Sequence, residues 1–508
     1  MPTDRKATIE VKGARDWEPK HHTFSQRIER LYDVWNPAGG ASPGGLRATT
    51  EAFQEIIAEA IRDGARLRAL GGAWSSSRVA TTDGRMVNTK ALNWVFKMSQ
   101  RVVHGDYPGQ PADLLFAQGG IMIAQLNDYL AGKGRSLKTS GASNGQTLAG
   151  ALSTGTHGAA IDVGPIPNFV VGLHLIVGPD RHVWLERASY PVVADAFPGL
   201  FGADLLRDDT LFDAALVSFG SFGIIEAVMI ETEAVFLLEA SRQRMPFDET
   251  LKHTLDTLDF STLPTRHTGE RPYHFEVVVN PYDEEGKAYV TTMFKRPYRD
   301  DYERIDRTPG RFRPGDDAAG FIGELVDTVP GLIPTAVNAL IGPLYGEFEL
   351  QEGILGEIFH NTTNRGKSAA CSLGIPVSMA SRAMERALAV HEERGPVAAV
   401  VALRFVKAST ALLGFQTHAP ITCIVDMDGV FSERTLRFFE GVWEAFEADG
   451  IPYTMHWGKL NGILDPARVR QKYGPAVDTW IDARHTLLDE ASRRVFTNGF
   501  MERCGLDG

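Results

Sequence analysis

The sequence predicts an α+β protein of more than one domain. In its first half, short apolar strand-like segments alternate with stretches of helical periodicity. Its second half holds longer apolar strands separated by amphipathic helices. Its composition is that of an ordinary globular protein, with 43% hydrophobic and 23% charged residues. That composition excludes a disordered chain, a collagen-like chain and a coiled coil. At about 150 residues per domain, 508 residues make two or three domains.

The elements follow in order. A helix is predicted over 50–63, capped by Thr50, with Phe53, Ile56, Ile57, Ala60 and Ile61 on one face; Gly64 ends it. A short strand over 66–70 breaks at Gly71-Gly72. A second strand spans 114–117. Ile123, Leu126 and Leu130 mark a helix stopped by Gly132. The runs 171–177 and 182–186 flank Gly178-Pro179-Asp180 and read as a hairpin. Segment 222–232 is β-rich, and 275–279 and 288–294 are strand-like. The highly charged stretch 300–317 contains Pro309 and Pro314 and reads as a surface excursion. Segments 397–405 and 421–427 are apolar strands. In a later helix Leu436, Phe439, Val442, Trp443 and Phe446 share a face, which core packing explains; Gly450 stops it. Composition shifts near 235 and 455.

Several classes of function fall away. Lys and Arg total 52 against 64 Asp and Glu, a net charge of -12, which disfavours nucleic acid as the main partner. Cys371, Cys423 and Cys504 cannot all pair and show no CxxC spacing, so neither a disulfide framework nor a zinc finger is expected. This usage fits a reducing, cytoplasmic setting. The N-terminus lacks the apolar stretch of a signal peptide. Segment 328–346 is uncharged over 19 residues, but Pro330, Pro334 and Pro343 argue against a spanning helix. A buried connection or an apolar lid over a site is expected there.

Two glycine-rich segments carry the chemistry. The first, Arg68-Ala-Leu-Gly-Gly-Ala-Trp-Ser-Ser-Ser77, ends a strand with two glycines and three hydroxyls, a loop whose N–H groups can face an anion. The second runs from Ser140 to Gly158 (SGASNGQTLAGALSTGTHG). Its repeated glycines argue against an ordinary helix. The apolar residues between them argue against a solvated linker. Buried backbone folded around a large polar ligand is the better reading. Neither segment is GxGxxG or GxxxxGK[ST]. Gly141-Ala-Ser-Asn-Gly145 matches G-x-S-x-G, yet its context lacks the strand and helix of a nucleophile elbow around Ser143.

Together these segments resemble the vanillyl-alcohol-oxidase superfamily of flavoproteins, also called the p-cresol-methylhydroxylase (PCMH) type. The nearest branch is that of the sugar-1,4-lactone and alditol oxidases. The run Val217-Ser-Phe-Gly-Ser-Phe-Gly-Ile-Ile225, then His456-Trp-Gly-Lys459 and Phe496-Thr-Asn498, follow in the order of that family. The resemblance implies an N-terminal extension over 1–45 and a PCMH-type FAD-binding domain over 46–233. It implies a substrate-binding cap over 234–450, with a mixed or antiparallel sheet flanked by helices and an insertion at about 300–365. Segment 451–508 returns to the FAD domain. The implied FAD contacts are Gly71, Gly72, Ala73, Trp74, Ser75, Ser76, Ser140, Gly141, Ser143, Asn144, Thr147, Gly150, Ser153, Thr154, Thr156, His157 and Gly158. Ile224 or Ile225 would lie near the adenine end.

The sequence departs from the family at two places. Many members attach the flavin through a histidine in the first loop; here Trp74 stands there, so non-covalent FAD is expected. Polyol- and lactone-oxidising relatives often carry Glu-x-Arg on a cap strand. The match here is Ala402-Leu403-Arg404, without the carboxylate. The implied reaction is oxidation of a CH–OH group of a small, sugar-lactone- or polyol-like substrate, by hydride transfer to flavin N5. Dioxygen or another acceptor would then reoxidise the cofactor. Lys459 and Arg404 are candidates for positive charge at the flavin, and His456 for accepting the hydroxyl proton. Arg404 sits in an apolar strand and needs a partner, either a cap carboxylate or the substrate. No metal is implied. The alternatives are a bulkier natural-product-like alcohol or amine as substrate, a Ser143 hydrolase, and a protein that holds flavin without turnover.

Overall fold

The structure is a computed structural model and describes residues 6–308, 313–316, 330–363 and 366–508. Three sheets organise it. The first has four strands in the order Thr8–Lys12, Arg30–Trp35, Arg85–Asn88 and Leu67–Leu70. Two strands before residue 46, Thr8–Lys12 and Arg30–Trp35, are therefore built into this sheet, with Thr8 opposite Trp35. The second has six strands in the order Asp204–Arg207, His182–Glu186, Val170–Ile176, Ile224–Glu231, Leu114–Gln118 and Val95–Phe96. The expected hairpin lies within it, with Ile176 opposite His182.

The first long helix is Pro43–Arg62, earlier than expected, and its cap is Ser42 rather than Thr50. Ser42 Oγ accepts the Gly45 N–H at 3.1 Å, and Pro43 sits in the first turn, where its missing N–H costs nothing. Gly44 and Gly45 had disguised that turn. Phe53, Ile56, Ile57 and Ala60 are buried on one face, as the periodicity requires.

The third sheet has eight antiparallel strands: Phe348–Gly353, Phe236–Pro246, Lys287–Pro297, His274–Val279, Ala399–Lys407, Ile421–Val430, Ser368–Pro376 and Thr454–Met455. Strand alternation divides its residues cleanly. Val277, Leu403, Phe405, Val425 and Met427 enter the main core with helices Ala380–Arg394 and Glu433–Ala448. Trp443, Phe439 and Phe446 join that core, each contributing about 2 kcal/mol at most. The opposite face carries Glu276, Val278, Ala402, Arg404, Asp426 and Asp428, and it is this face that reaches the site.

Two expectations for the middle of the chain change. In the charged stretch, Tyr302, Arg313 and Asp316 are buried, so its described residues do not form a wholly surface excursion. Tyr302 gives its hydroxyl hydrogen to Glu357, 2.8 Å away. The apolar stretch contains a helix, Ile333–Leu344, with Pro334 in its first turn. Ile341 and the following Tyr345 pack on Val278, Tyr289, Val400 and Ala402, which covers part of the cap sheet rather than the cleft. Pro309 and residues 328–329 lie outside the described residues. Among the described residues, no helix is long and apolar enough to cross a membrane.

The C-terminal helices pack back on the N-terminal half. Trp480 Nε1 donates to the Val217 carbonyl and Arg484 Nε to that of Ser221, both at 3.1 Å. Asn498 Nδ2 donates to the Thr81 carbonyl at 2.7 Å.

Candidate active site

A deep cleft runs between the first two sheets and the cap. It encloses about 1740 Å³, counting its solvent-open mouth. One wall is the pair of glycine-rich loops. The strand Leu67–Leu70 runs into Gly71-Gly72, and Ala73 adopts left-handed backbone, φ 59°, uncommon for alanine and typical of functional loops. The loop is tied from both sides. The Lys20 N–H reaches the Ala73 carbonyl at 2.9 Å, and the Ser76 N–H reaches that of Gly458 at 2.8 Å. Ser77 Oγ donates to the Trp457 carbonyl at 2.6 Å. The late HWGK motif therefore braces the first loop directly.

The second loop holds a short helix, Leu148–Ser153, which corrects the expectation of purely irregular backbone. Thr147 caps it, and Ser153 and Thr154 return their hydroxyls to the helix carbonyls of Ala149 and Gly150. The two loops touch so closely that a Cβ at Gly72 would drive into the Gly145 carbonyl, and one at Gly145 into the Trp74 indole. Gly71, Gly72, Ala73, Trp74, Ser75, Ser76, Gly141, Ser143, Thr147, Gly150, Ser153, Thr154, Thr156, His157 and Ile225 line the cleft. Ser140, Asn144, Gly158 and Ile224 stand behind it. Asn144 Nδ2 donates to the Gly141 and Phe359 carbonyls at 3.1 and 2.9 Å, and the Ser140 hydroxyl donates to Asn144 Oδ1 at 2.5 Å. A Cβ on Gly158 would strike the Ser140 carbonyl. Ile224 packs in the core. Ser143 lies in irregular backbone bridged to Asn361, neither directly after a strand nor directly before a helix, since the next helix begins only at Leu148, so the geometry of a hydrolase elbow is missing.

The opposite wall is ionic. Arg404 donates from Nε to Glu276 at 2.8 Å and from Nη1 to Asp426 at 2.7 Å. Lys459 Nζ donates to the other Asp426 oxygen at 2.8 Å, and Ser372 Oγ also donates to it. Tyr345 caps Glu276 with its hydroxyl at 2.5 Å. Burial alone would raise Asp426, but Lys459 and Arg404 hold it well below the usual carboxylate range. Burial would lower Lys459, yet Asp426 and Asp428 raise it. Ala402 does leave its own strand without a carboxylate. The neighbouring strands supply Glu276 and Asp426, whose register positions face Arg404 and Ala402.

Burial holds both cleft histidines below the ordinary imidazole value. Burial pushes His157 down to about 4, and it contacts the Gly158 carbonyl through Nδ1 at 2.9 Å. Burial, with Lys459 and His157 adding to it, lowers His456 well below the usual imidazole value. His456 Nδ1 accepts the Gly458 N–H at 2.9 Å, so the ring proton sits on Nε2. His456 thus presents its Nε2–H as a donor.

The glycine wall fits FAD. Arg68 is buried at the cleft and forms no ion pair among the described residues; its Nη1 donates only to the Phe219 carbonyl, 2.8 Å away. Burial, then the nearby Arg484, push it down to about 9. A buried cation of this kind calls for an anion. Among the described residues Trp74 Nε1 and Gln146 Oε1 are buried beside the cleft without a hydrogen-bond partner, as groups awaiting a polar ligand would be.

Sequence reasoning missed Glu276, Asp426, Asp428, Asn361 and the N-terminal Lys20 and Thr23, whose N–H and hydroxyl hold the Ala73 and Ser76 carbonyls of the first loop. For the carboxylates a signal existed. Each interrupts an apolar strand, in His274-Phe-Glu-Val-Val-Val279 and Cys423-Ile-Val-Asp-Met-Asp428, where a charge must find a partner.

The comparisons agree with this geometry. Residues 46–185 match the family described as FAD binding domain. The chain is similar to an L-gulono-1,4-lactone dehydrogenase of Mycobacterium tuberculosis, 26% identical over 93% of this chain and 98% of that one. It is similar to a D-arabinono-1,4-lactone oxidase of Eremothecium gossypii, 29% identical over 40% of this chain and 34% of that one. Among solved structures it resembles cholesterol oxidase from B. sterolicum, with TM-score 0.67 and 13% identity over 99% of this chain and 98% of that one. The cleft, its glycine loops and these likenesses lead to one conclusion: the chain carries an FAD-binding domain, is similar along most of its length to a lactone dehydrogenase, and shares its fold with cholesterol oxidase.

Proposed function

We propose that the protein is an FAD-dependent oxidoreductase that oxidises a CH–OH group of a small, neutral, sugar-lactone-like substrate. The observation that carries this reading is the meeting, in one cleft, of an uncharged glycine wall and a hydrogen-bonded ionic wall. FAD, held by the glycine wall, would supply the redox chemistry for oxidising the substrate C–H bond. The protein's own groups do the rest. Arg404 and Lys459 hold positive charge at the cleft, fixed in place by Glu276 and Asp426. Neutral His456 donates from Nε2 toward a substrate oxygen. The packed cap sheet limits water at the ionic wall.

Trp74 supports non-covalent FAD, because an indole cannot make the bond that a histidine makes. Lys20 Nζ lies 4.9 Å from the Trp74 ring centroid and His21 packs against it at 5.5 Å, which fixes the indole as a packing element. The cap assignment over 234–450 is supported by the eight-stranded sheet, and a cytoplasmic setting by three buried, unpaired cysteines. The test is a visible spectrum followed by acid precipitation and a screen of lactones and polyols with dioxygen or a dye as acceptor. The expected result is yellow protein, colour released to the supernatant, and turnover of a lactone. Colour retained in the pellet contradicts the non-covalent reading; absence of turnover across the screen contradicts the substrate class.

A further inference from the structure

We propose that Asp428 accepts a hydrogen bond from a substrate hydroxyl and makes the site prefer a neutral polyhydroxylated ligand over its ring-opened carboxylate. The inference rests on the oxidoreductase reading of the cleft. Asp428 is buried, 4% exposed, and lines the cavity. Its cross-strand neighbours are Ala370 and Val400, neither of which has a side-chain donor. Among the described residues its carboxylate makes no hydrogen bond, and its nearest cation, Lys459, is 3.9 Å away.

The other charges of the ionic wall are already engaged. Arg404 is held by Glu276 and Asp426, and Lys459 by Asp426 at 2.8 Å. Arg242, the remaining cation near Glu276, turns to Thr291 Oγ1 and the Pro314 carbonyl at 2.9 Å each. Asp428 is therefore the carboxylate left over, and a buried carboxylate needs donors. The charged and imidazole groups that line the cleft beside it are donors: Arg404 and Lys459 are cations, and His456 carries its proton on Nε2. The small Ala369 and Ala370 beside Asp428 leave room for a hydroxylated ring. Burial, reinforced by Asp426 and opposed by Lys459, raises the Asp428 carboxyl above its ordinary value, as a site short of donors would. An anionic ligand placed here would meet a like charge; a neutral one would not.

The experiment is calorimetry on the dithionite-reduced holoenzyme, which cannot oxidise the probe. L-gulono-1,4-lactone and L-gulonate are titrated at pH 7 into wild type and Asp428→Asn. Wild type is expected to bind the lactone at least tenfold more tightly than gulonate. Asp428→Asn, with flavin content unchanged, is expected to weaken lactone binding about tenfold or more and to narrow the preference. Equal lactone binding by the variant overturns the inference. So does a wild type that binds gulonate as well as the lactone or binds neither, a comparison that needs no variant to fold. If reduced wild type binds the lactone as described but the oxidised enzyme never turns it over, the oxidoreductase reading on lactones fails while the Asp428 contact stands.

Discussion

Two buried carboxylates, one on each side of the molecule, are treated in opposite ways. Glu226, on the Ile224–Glu231 strand of the FAD domain, accepts from Thr49 and Thr50 and lies 3.5 Å from the neutral His174. Among the described residues no Lys or Arg pairs with it, and burial raises it to about 8. Asp426, in the cap sheet, is equally buried but meets Arg404 and Lys459 and stays ionised. The difference follows the two walls of the cleft. The FAD side is made of backbone, hydroxyls and Arg68, which forms no ion pair among the described residues, whereas the cap side carries charges balanced in place by one another.

The comparison can be broken most forcefully at Asp426. Asp426→Leu strands Arg404 and Lys459 against one another and should cost about 3–5 kcal/mol in urea unfolding. A loss below about 1 kcal/mol would show that the layer is not structurally ionic. On the other wall, Arg68→Met should leave the fold intact and weaken FAD retention by about 1.5–3 kcal/mol, read from the flavin-to-protein absorbance ratio after dialysis. Unchanged retention would mean that Arg68 meets no cofactor anion.

The third prediction concerns pH. Folded Glu226 titrates at about 8, against about 4.5 when unfolded, so the folded state holds a proton that the unfolded chain has lost. That contribution is present below the unfolded value and is lost as pH rises toward 8. Between pH 6.5 and 8, where an unfolded His174 is largely neutral, stability should fall by roughly 1 kcal/mol per pH unit. Glu226→Gln should flatten this slope in thermal melts; an unchanged slope would contradict the neutral assignment. The smallest effect lies outside both walls. Ser42→Ala removes a helix cap and should lower stability by about 1 kcal/mol or less, leaving flavin content and KM untouched.

The FAD side was the more legible in sequence. Glycine runs with interspersed hydroxyls have few uses, and the close approach of Gly72 to Gly145 and of Gly145 to Trp74 shows why no side chain is tolerated. Helix Pro43–Arg62 was found from its apolar face but misplaced at its start, since Pro43-Gly44-Gly45 reads as a breaker until Ser42 is seen to cap it. The cap side was hidden for a different reason. Arg404 draws its carboxylates from two other strands, 128 and 22 residues away in sequence. Only strand register brings them together. A search for Glu-x-Arg within one strand therefore ended at Ala402.

The central claim is that the two walls form one redox site. It is tested most directly by adding L-gulono-1,4-lactone anaerobically to the yellow holoenzyme and following the oxidised flavin band. The account predicts bleaching by the lactone, slowed severely in Arg404→Met with flavin still bound. A flavin band unmoved by lactones and polyols, or bleached equally fast in Arg404→Met, would contradict it.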